Sequence, residues 1–140
     1  GKGAYAAMKF ALEDAGVNHD EVDHINAHGT STPLGDAAEV AAIRSLFGDH
    51  AQNIAVSSTK SMTGHTLGAA GGVESLSVAM AVHKGVIPPT INVENPDDEF
   101  AGMNFVANSA QEKSIRYALN NSFGFGGHNV CLVFKHFNGS

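Results

Sequence analysis

Two histidines sit among small residues, His28 within Asn26-Ala27-His28-Gly29-Thr30-Ser31-Thr32-Pro33 and His65 within Lys60-Ser61-Met62-Thr63-Gly64-His65. Two neutral imidazoles converging on one oxygen can polarise a thioester carbonyl and hold the negative charge that develops as the neighbouring carbon becomes nucleophilic. Such chemistry forms carbon–carbon bonds, and it also needs a nucleophile that accepts an acyl chain. The only cysteine, Cys131, lies in the apolar run Val130-Cys131-Leu132-Val133-Phe134 and reads as a small buried hydrophobe in a strand, not as that nucleophile. The plainer reading of His28 and His65 is that each caps a loop by hydrogen bonding to backbone. Their shared setting favours the chemical reading: each follows a short apolar run, is flanked by glycine and threonine, and precedes a helix whose N-terminal dipole disfavours the imidazolium form. His19, His50, His83 and His136 carry no motif and read as structural or exposed.

Glu74 falls inside an apolar helical pattern, where a carboxylate needs a cation or hydrogen-bond donors. Lys60 is the obvious partner, with a surface lysine and a glutamate on a narrow wet stripe as the alternative. Asp36, early in the helix after His28, could join this network or stand exposed. Phe123 and Phe125 lie among glycines in Ser122-Phe123-Gly124-Phe125-Gly126-Gly127-His128, which suits either a gate over a pocket or a turn with core aromatics. Strand residues follow this loop, so it is not a dinucleotide fingerprint. No metal site is expected, since there is no His-Glu-x-x-His and no paired cysteine spacing. The Gly-x-Ser-x-Gly elbow of a serine hydrolase is missing too.

These residues must be placed by an α/β scaffold. Tyr5, Met8, Leu12 and Ala15 predict a helix over 4–15 that Gly16 ends in a left-handed cap. Val22, Ile25 and Ala27 predict a strand into His28. Thr32 and Pro33 open a helix with Val40, Ile43, Leu46 and Phe47 on its apolar face, ended by Gly48. Ile54 to Val56 predict a second strand, followed by a loop over 57–65 and a helix from about Leu67 to His83 that is apolar nearly all round. That helix should be buried in the middle of a layered structure. Gly64, Gly68, Gly71 and Gly72 suggest close backbone packing. Pro88-Pro89 ends the segment, and an acidic loop follows over 92–99. Strands are predicted at 105–106, 115–119 and 129–137. Parallel early strands would bring both histidines to one sheet edge, where open sheets bind ligands.

A chain of 140 residues suits one domain, residues 1–140. Charged residues reach only 16% against roughly 25% in typical domains, so part of the surface is expected to face another polypeptide. The net charge of −6 argues against nucleic acid as the main ligand. One cysteine fits a reducing compartment, most simply the cytoplasm, and no apolar run is long enough to span a membrane. The opening Gly1-Lys2-Gly3-Ala4 reads as neither a signal peptide nor an initiator, and the chain is expected to be cut from a longer one.

Three segments, Asn26 to Pro33, Lys60 to His65 with Gly68-Ala69-Ala70-Gly71, and Asn121 to Asn129, resemble in order the C-terminal signatures of the β-ketoacyl-acyl-carrier-protein synthases. The elongating enzymes of type II fatty acid synthesis are the nearest likeness, with polyketide ketosynthases next. The resemblance implies the C-terminal half of a thiolase-like αβαβα sandwich and a homodimer. It implies that His28 and His65 bind the malonyl thioester carbonyl and that Lys60 orients the site with Glu74. Thr30 and Thr32 would contact the phosphopantetheine arm of acyl carrier protein, and Phe125 would gate the acyl pocket. It implies decarboxylative Claisen condensation without a metal or redox cofactor. The half that carries the family's nucleophilic cysteine is absent, so this chain alone is expected to be inactive. The alternatives are a non-catalytic partner subunit that controls chain length or a polyketide ketosynthase fragment. A plastid or mitochondrion is the alternative to the cytoplasm.

Overall fold

The computed structural model describes residues 1–30, 33–90, 102–124 and 127–137. Thr32, Phe125 and the segment 92–99 lie outside them. Helix α1 (Lys2–Ala15) buries Ala4, Met8 and Leu12, one residue per turn, and leaves Ala15 exposed. Gly16 closes it at φ 67, with its N–H turned back to the Leu12 and Glu13 carbonyls. A 3₁₀ turn (His19–Glu21), closed by an Asn18–Glu21 capping box, leads into strand β1 (Val22–Asn26), whose five residues are all buried. Burial on both faces marks a central strand of a sheet covered on both sides. Helix α2 (Pro33–Phe47) buries Val40, Ile43, Leu46 and Phe47 as their spacing predicts.

Strand β2 (Ala55–Ser57) is followed by a one-turn helix α3 (Lys60–Thr63), where the sequence reads as plain loop. Four residues are too few for a hydrophobic period to announce a helix. A 3₁₀ turn over Leu67–Ala69 then leads to helix α4 (Ala70–Lys84). Strand β3 (Val86–Ile87) pairs antiparallel with β4 (Gln111–Glu112), and β5 (Tyr117–Phe123) with β6 (Asn129–Lys135) closes the chain. The four-stranded sheet runs β2-β1-β5-β6, with β1 parallel to both β2 and β5 and β6 antiparallel at the edge. Strand alternation sorts the core into two layers. Ile54, Val56 and Leu119 face α1 and α2 with Met8, Leu12 and Ile43, whereas Ala55 and Ala118 face α4 with Val78, Ala81 and Val82.

Three expectations need correction. Residues 105–106 form no strand: Val106 has φ 43, and this stretch contributes only isolated bridges from Asn104 to Ala55 and from Ala107 to Thr90. Helix α4 is not buried all round, because Ala70, Glu74, Val78, Ala81 and Val82 are covered while Leu76 is 73% and Met80 50% exposed. Only one side of it meets this sheet. Nor do the glycines mark tight packing here. An added methyl at Gly64, Gly68 or Gly72 would meet open space, and at Gly71 only an ordinary contact with Ser122. Gly64 is required instead by its φ of 75.

Candidate functional site

His28 lies two residues past the end of β1, and the turn that carries it is held from three sides. The Glu39 carboxylate, on α2 and only 4% exposed, accepts the His28 N–H at 2.9 Å and the Gly29 N–H at 3.0 Å. The Asn121 side-chain amide donates to the same carboxylate at 3.1 Å. Across the sheet edge, the Ser58 hydroxyl donates to the Gly29 carbonyl at 3.0 Å. Gly29 has φ 37, and a Cβ there would stand 2.8 Å from Ser58 Cβ, so no other residue fits without displacing the neighbouring loop.

Backbone donors settle which ring nitrogen carries the proton. The Phe123 N–H points at His28 Nδ1 from 3.2 Å, and the Leu67 N–H at His65 Nδ1 from 3.3 Å. A backbone N–H can only donate, so both Nδ1 atoms are acceptors and the protons of the neutral rings sit on Nε2. The two ring centroids are 5.7 Å apart with planes at 89°. His28 is further fixed by the Phe123 ring, 5.5 Å away. Burial, followed by the positive charge of Lys60 and then by His65, pulls the His28 pKa down to about 4. The causes that dominate are burial and neighbouring charge, where the sequence suggested helix dipoles. His28 is therefore a neutral Nε2–H donor at neutral pH.

Lys60 and Glu74 do pair, Nζ to Oε1 at 2.7 Å, with the residues 7% and 1% exposed. One partner starts α3 and the other sits in α4, so the ion pair ties the His65 loop to the helix beneath it. A buried pair holds mainly because breaking it would strand a charge in the interior. Asp36 is half-buried on α2 and lines the same cleft as His28, and its charge helps to raise the Glu39 pKa, to which burial contributes most.

The cleft encloses ≈ 970 Å³ and is lined by His28, Thr30, Asp36, His65, Phe123 and His128. His65 is exposed, whereas His28 and Thr30 are half-buried. Cys131 lies in β6, packed against the core, with its thiol pushed up to about 12 by burial and by Glu39. That thiol stays protonated at neutral pH and is no nucleophile. Of the other histidines, His50 bonds the Val22 carbonyl at 2.7 Å and His136 the Val82 carbonyl at 3.2 Å, both structural as expected.

Glu39 is the site residue that sequence reasoning missed. It falls four residues before Ile43 and next to Val40 on the buried side of α2. The argument applied to Glu74, a carboxylate on an apolar stripe that needs donors, would have found it.

The family profile described as beta-ketoacyl synthase, C-terminal domain, matches residues 1–94. The chain is 52% identical over 137 residues to a 3-oxoacyl-(acyl-carrier-protein) synthase 2 of Synechocystis sp. and 50% identical to one of Staphylococcus aureus, covering 98% of this chain and 33% of each relative. It thus spans about a third of the length of these curated relatives. Among solved structures, a beta-ketoacyl synthase from Burkholderia phymatum superposes with a TM-score of 0.90 at 36% identity, covering 96% of this chain and 32% of that one. A chain from a type II polyketide synthase assembly, an acyl-carrier protein in complex with its ketosynthase bound to the hexaketide, gives 0.92 at 34% identity over 96% and 33%. These likenesses bear out the α/β, thiolase-like fold expected from the sequence.

Proposed function

The chain belongs to the β-ketoacyl synthase family, within its C-terminal domain, and on that premise we propose that it supplies the carbonyl-activating part of a decarboxylative Claisen condensation in fatty acid synthesis. The observation that carries this reading is the pair of backbone N–H groups that hold both Nδ1 atoms as acceptors, leaving two Nε2–H donors on one cleft.

The Nε2–H groups of His28 and His65 donate to the thioester oxygen of a malonyl group. As the bond to the carboxylate breaks, carbon dioxide leaves and the electron pair moves onto that oxygen, where the two donors stabilise the enolate. The carbonyl re-forms as the α-carbon attacks the acyl thioester held by a nucleophile, and the thiolate departs. Burial and, after it, the charge of Lys60 keep His28 uncharged, and Lys60 through Glu74 holds the loop that bears His65. No residue among those described fits the role of nucleophile, so we assign it to a cysteine in the remainder of a longer protein. The uncovered side of α4, with Val73, Leu76 and Met80, supports such a covering partner. Thr30, and Thr32 beyond the described residues, are proposed to contact the phosphopantetheine arm of acyl carrier protein, with Phe123 and Phe125 beside the acyl chain. The partners are then acyl carrier protein, the nucleophile-bearing half and a second copy of the protein. No metal or redox cofactor takes part, and the compartment is the cytoplasm.

Mixing the purified chain with acyl- and malonyl-carrier protein is expected to yield no β-ketoacyl product, and turnover without another chain would overturn the reading. In a chain of the relatives' full length, His28→Ala or His65→Ala should cut condensation by about 10²–10³, the usual cost of one oxyanion donor.

A further inference from the structure

Beneath the histidine loops, β1 and β5 place Asn26 opposite Asn120, and both side chains are buried, at 1% and 2% exposure. The Thr59 N–H donates to Asn26 Oδ1 at 3.4 Å, and Asn26 Nδ2 donates to Asn120 Oδ1 at 2.9 Å. Asn120 Nδ2 then donates to Ser75 Oγ at 3.0 Å and to the Gly71 carbonyl at 3.4 Å, while the Ser75 hydroxyl donates to Gly71 at 2.7 Å. The series runs one way. Because Thr59 can only donate at its start and Gly71 can only accept at its end, each asparagine amide has a single permitted orientation.

Every member adjoins a site group along the chain. Asn26 is two residues before His28, Thr59 immediately precedes Lys60, Ser75 follows Glu74, and Asn120 is three residues before Phe123, whose N–H sets the His28 tautomer. The sheet itself does not require amides there. The flanking register pair is Ile25 with Leu119, and a central parallel strand is served as well or better by apolar residues.

We propose that Asn26 and Asn120 form a directional amide relay that sets the spacing between the His28 turn and the Lys60–His65 loop, and that both are positioning residues for carbonyl activation. This inference rests on the condensation reading above. The relay joins β1, β5 and the first turns of α4 through fixed donor–acceptor directions. Beside the β1–β5 ladder, the Ser58–Gly29 bond and the Lys60–Glu74 pair, it is the link that runs from Thr59 through the sheet to α4.

The test uses a chain of the relatives' full length carrying Asn26→Val, Asn120→Val or both, assayed for condensation and for unfolding, with 15N-labelled histidine rings observed by NMR. Unfolding midpoints should fall in the single variants, each of which strands a buried polar partner, and recover towards the parent in the double variant. Meanwhile kcat should fall by about 10²-fold, the cost of an ångström-scale misplacement, with KM for the malonyl substrate within about twofold of the parent. The double variant should lose little more than either single one, as members of one unit do. The His28 and His65 ring signals should shift relative to the parent. If the valine variants do not fold, Ser75→Ala decides, since it removes only the half-buried end of the relay and should lower kcat roughly threefold, within the net worth of one hydrogen bond. An unchanged kcat together with unchanged ring signals in a folded variant would overturn the proposal. A parent that folds but does not condense would instead count against the functional reading, and the ring signals would still decide the relay.

Discussion

The two histidine turns are built to different standards. His28 is half-buried and its turn is gripped by Glu39 from α2, by Ser58 from the neighbouring loop and by Phe123 from β5. His65 is exposed, and its ring is anchored by the Leu67 N–H, two residues along its own chain. One donor is placed by tertiary structure and the other by local structure standing on the Lys60–Glu74 pair. The His28 side is thus held from several elements within these residues, whereas the His65 side depends on one ion pair and on whatever covers it.

The largest effect on the weaker side is expected from Lys60→Ala. It strands Glu74 in the interior and should destabilise the fold by about 3–5 kcal/mol, read by urea unfolding. Replacing both partners by apolar residues of similar volume, Lys60→Met with Glu74→Leu, should recover most of that loss. Failure to recover it would show that the pair does more than avoid a stranded charge.

Acid should come next. His24 is buried against the Ala55 carbonyl, and burial pulls its pKa to about 4, as it does for His28. Each group is lowered from 6.5, so the unfolded chain binds protons that the folded chain refuses. Stability is full above about pH 6.5 and declines as pH falls towards 4. His24 alone accounts for about 3 kcal/mol when fully expressed. Glu39, raised by burial, contributes an opposite slope from its ordinary range upwards. Unfolding titrations at pH 7 and pH 4 check the net sign, and His24→Gln should flatten the decline.

Glu39→Gln tests the better-built side. A neutral amide keeps one acceptor and turns a donor towards the N–H groups of His28, Gly29 and Asn121, so a loss of about 1–3 kcal/mol is expected. The His65 side offers the smallest effect. Leu67 holds φ 52 while its side chain is 67% exposed, so Leu67→Gly should stabilise by ~0.5–1 kcal/mol through relief of backbone strain. Destabilisation instead would mean that the strained turn is held by contacts of the leucine side chain.

Much of this molecule was legible in its sequence, for identifiable reasons. The period of Met8 and Leu12 gave α1, Gly16 its end, and Val40 to Phe47 the face of α2. Charge on an apolar helix gave the Lys60–Glu74 pair. The strands β3 and β4 have two residues each and leave no alternation to read. Phe105-Val106 has strand composition, but Val106 turns the backbone to φ 43. The apolar circumference of α4 was read correctly as composition, and its exposed side, with Leu76 and Met80, is a face that these residues alone do not cover. Glu39 was legible by the argument used for Glu74, a carboxylate on an apolar stripe, but two of its three donors are backbone N–H groups, which no residue type announces.

The pairing of β1 with β5 joins positions 22–26 to 117–120, a long way apart in the chain. Closing so large a loop is slow, and the amide that fixes the His28 tautomer belongs to β5. Phe123 follows His28 by 95 residues, so during synthesis His28 stays free to exchange its ring proton between nitrogens until Phe123 has been made. Orientation of His28 therefore waits on β5, and a translation product that stops short of Phe123 would carry both imidazoles without the means to orient the first.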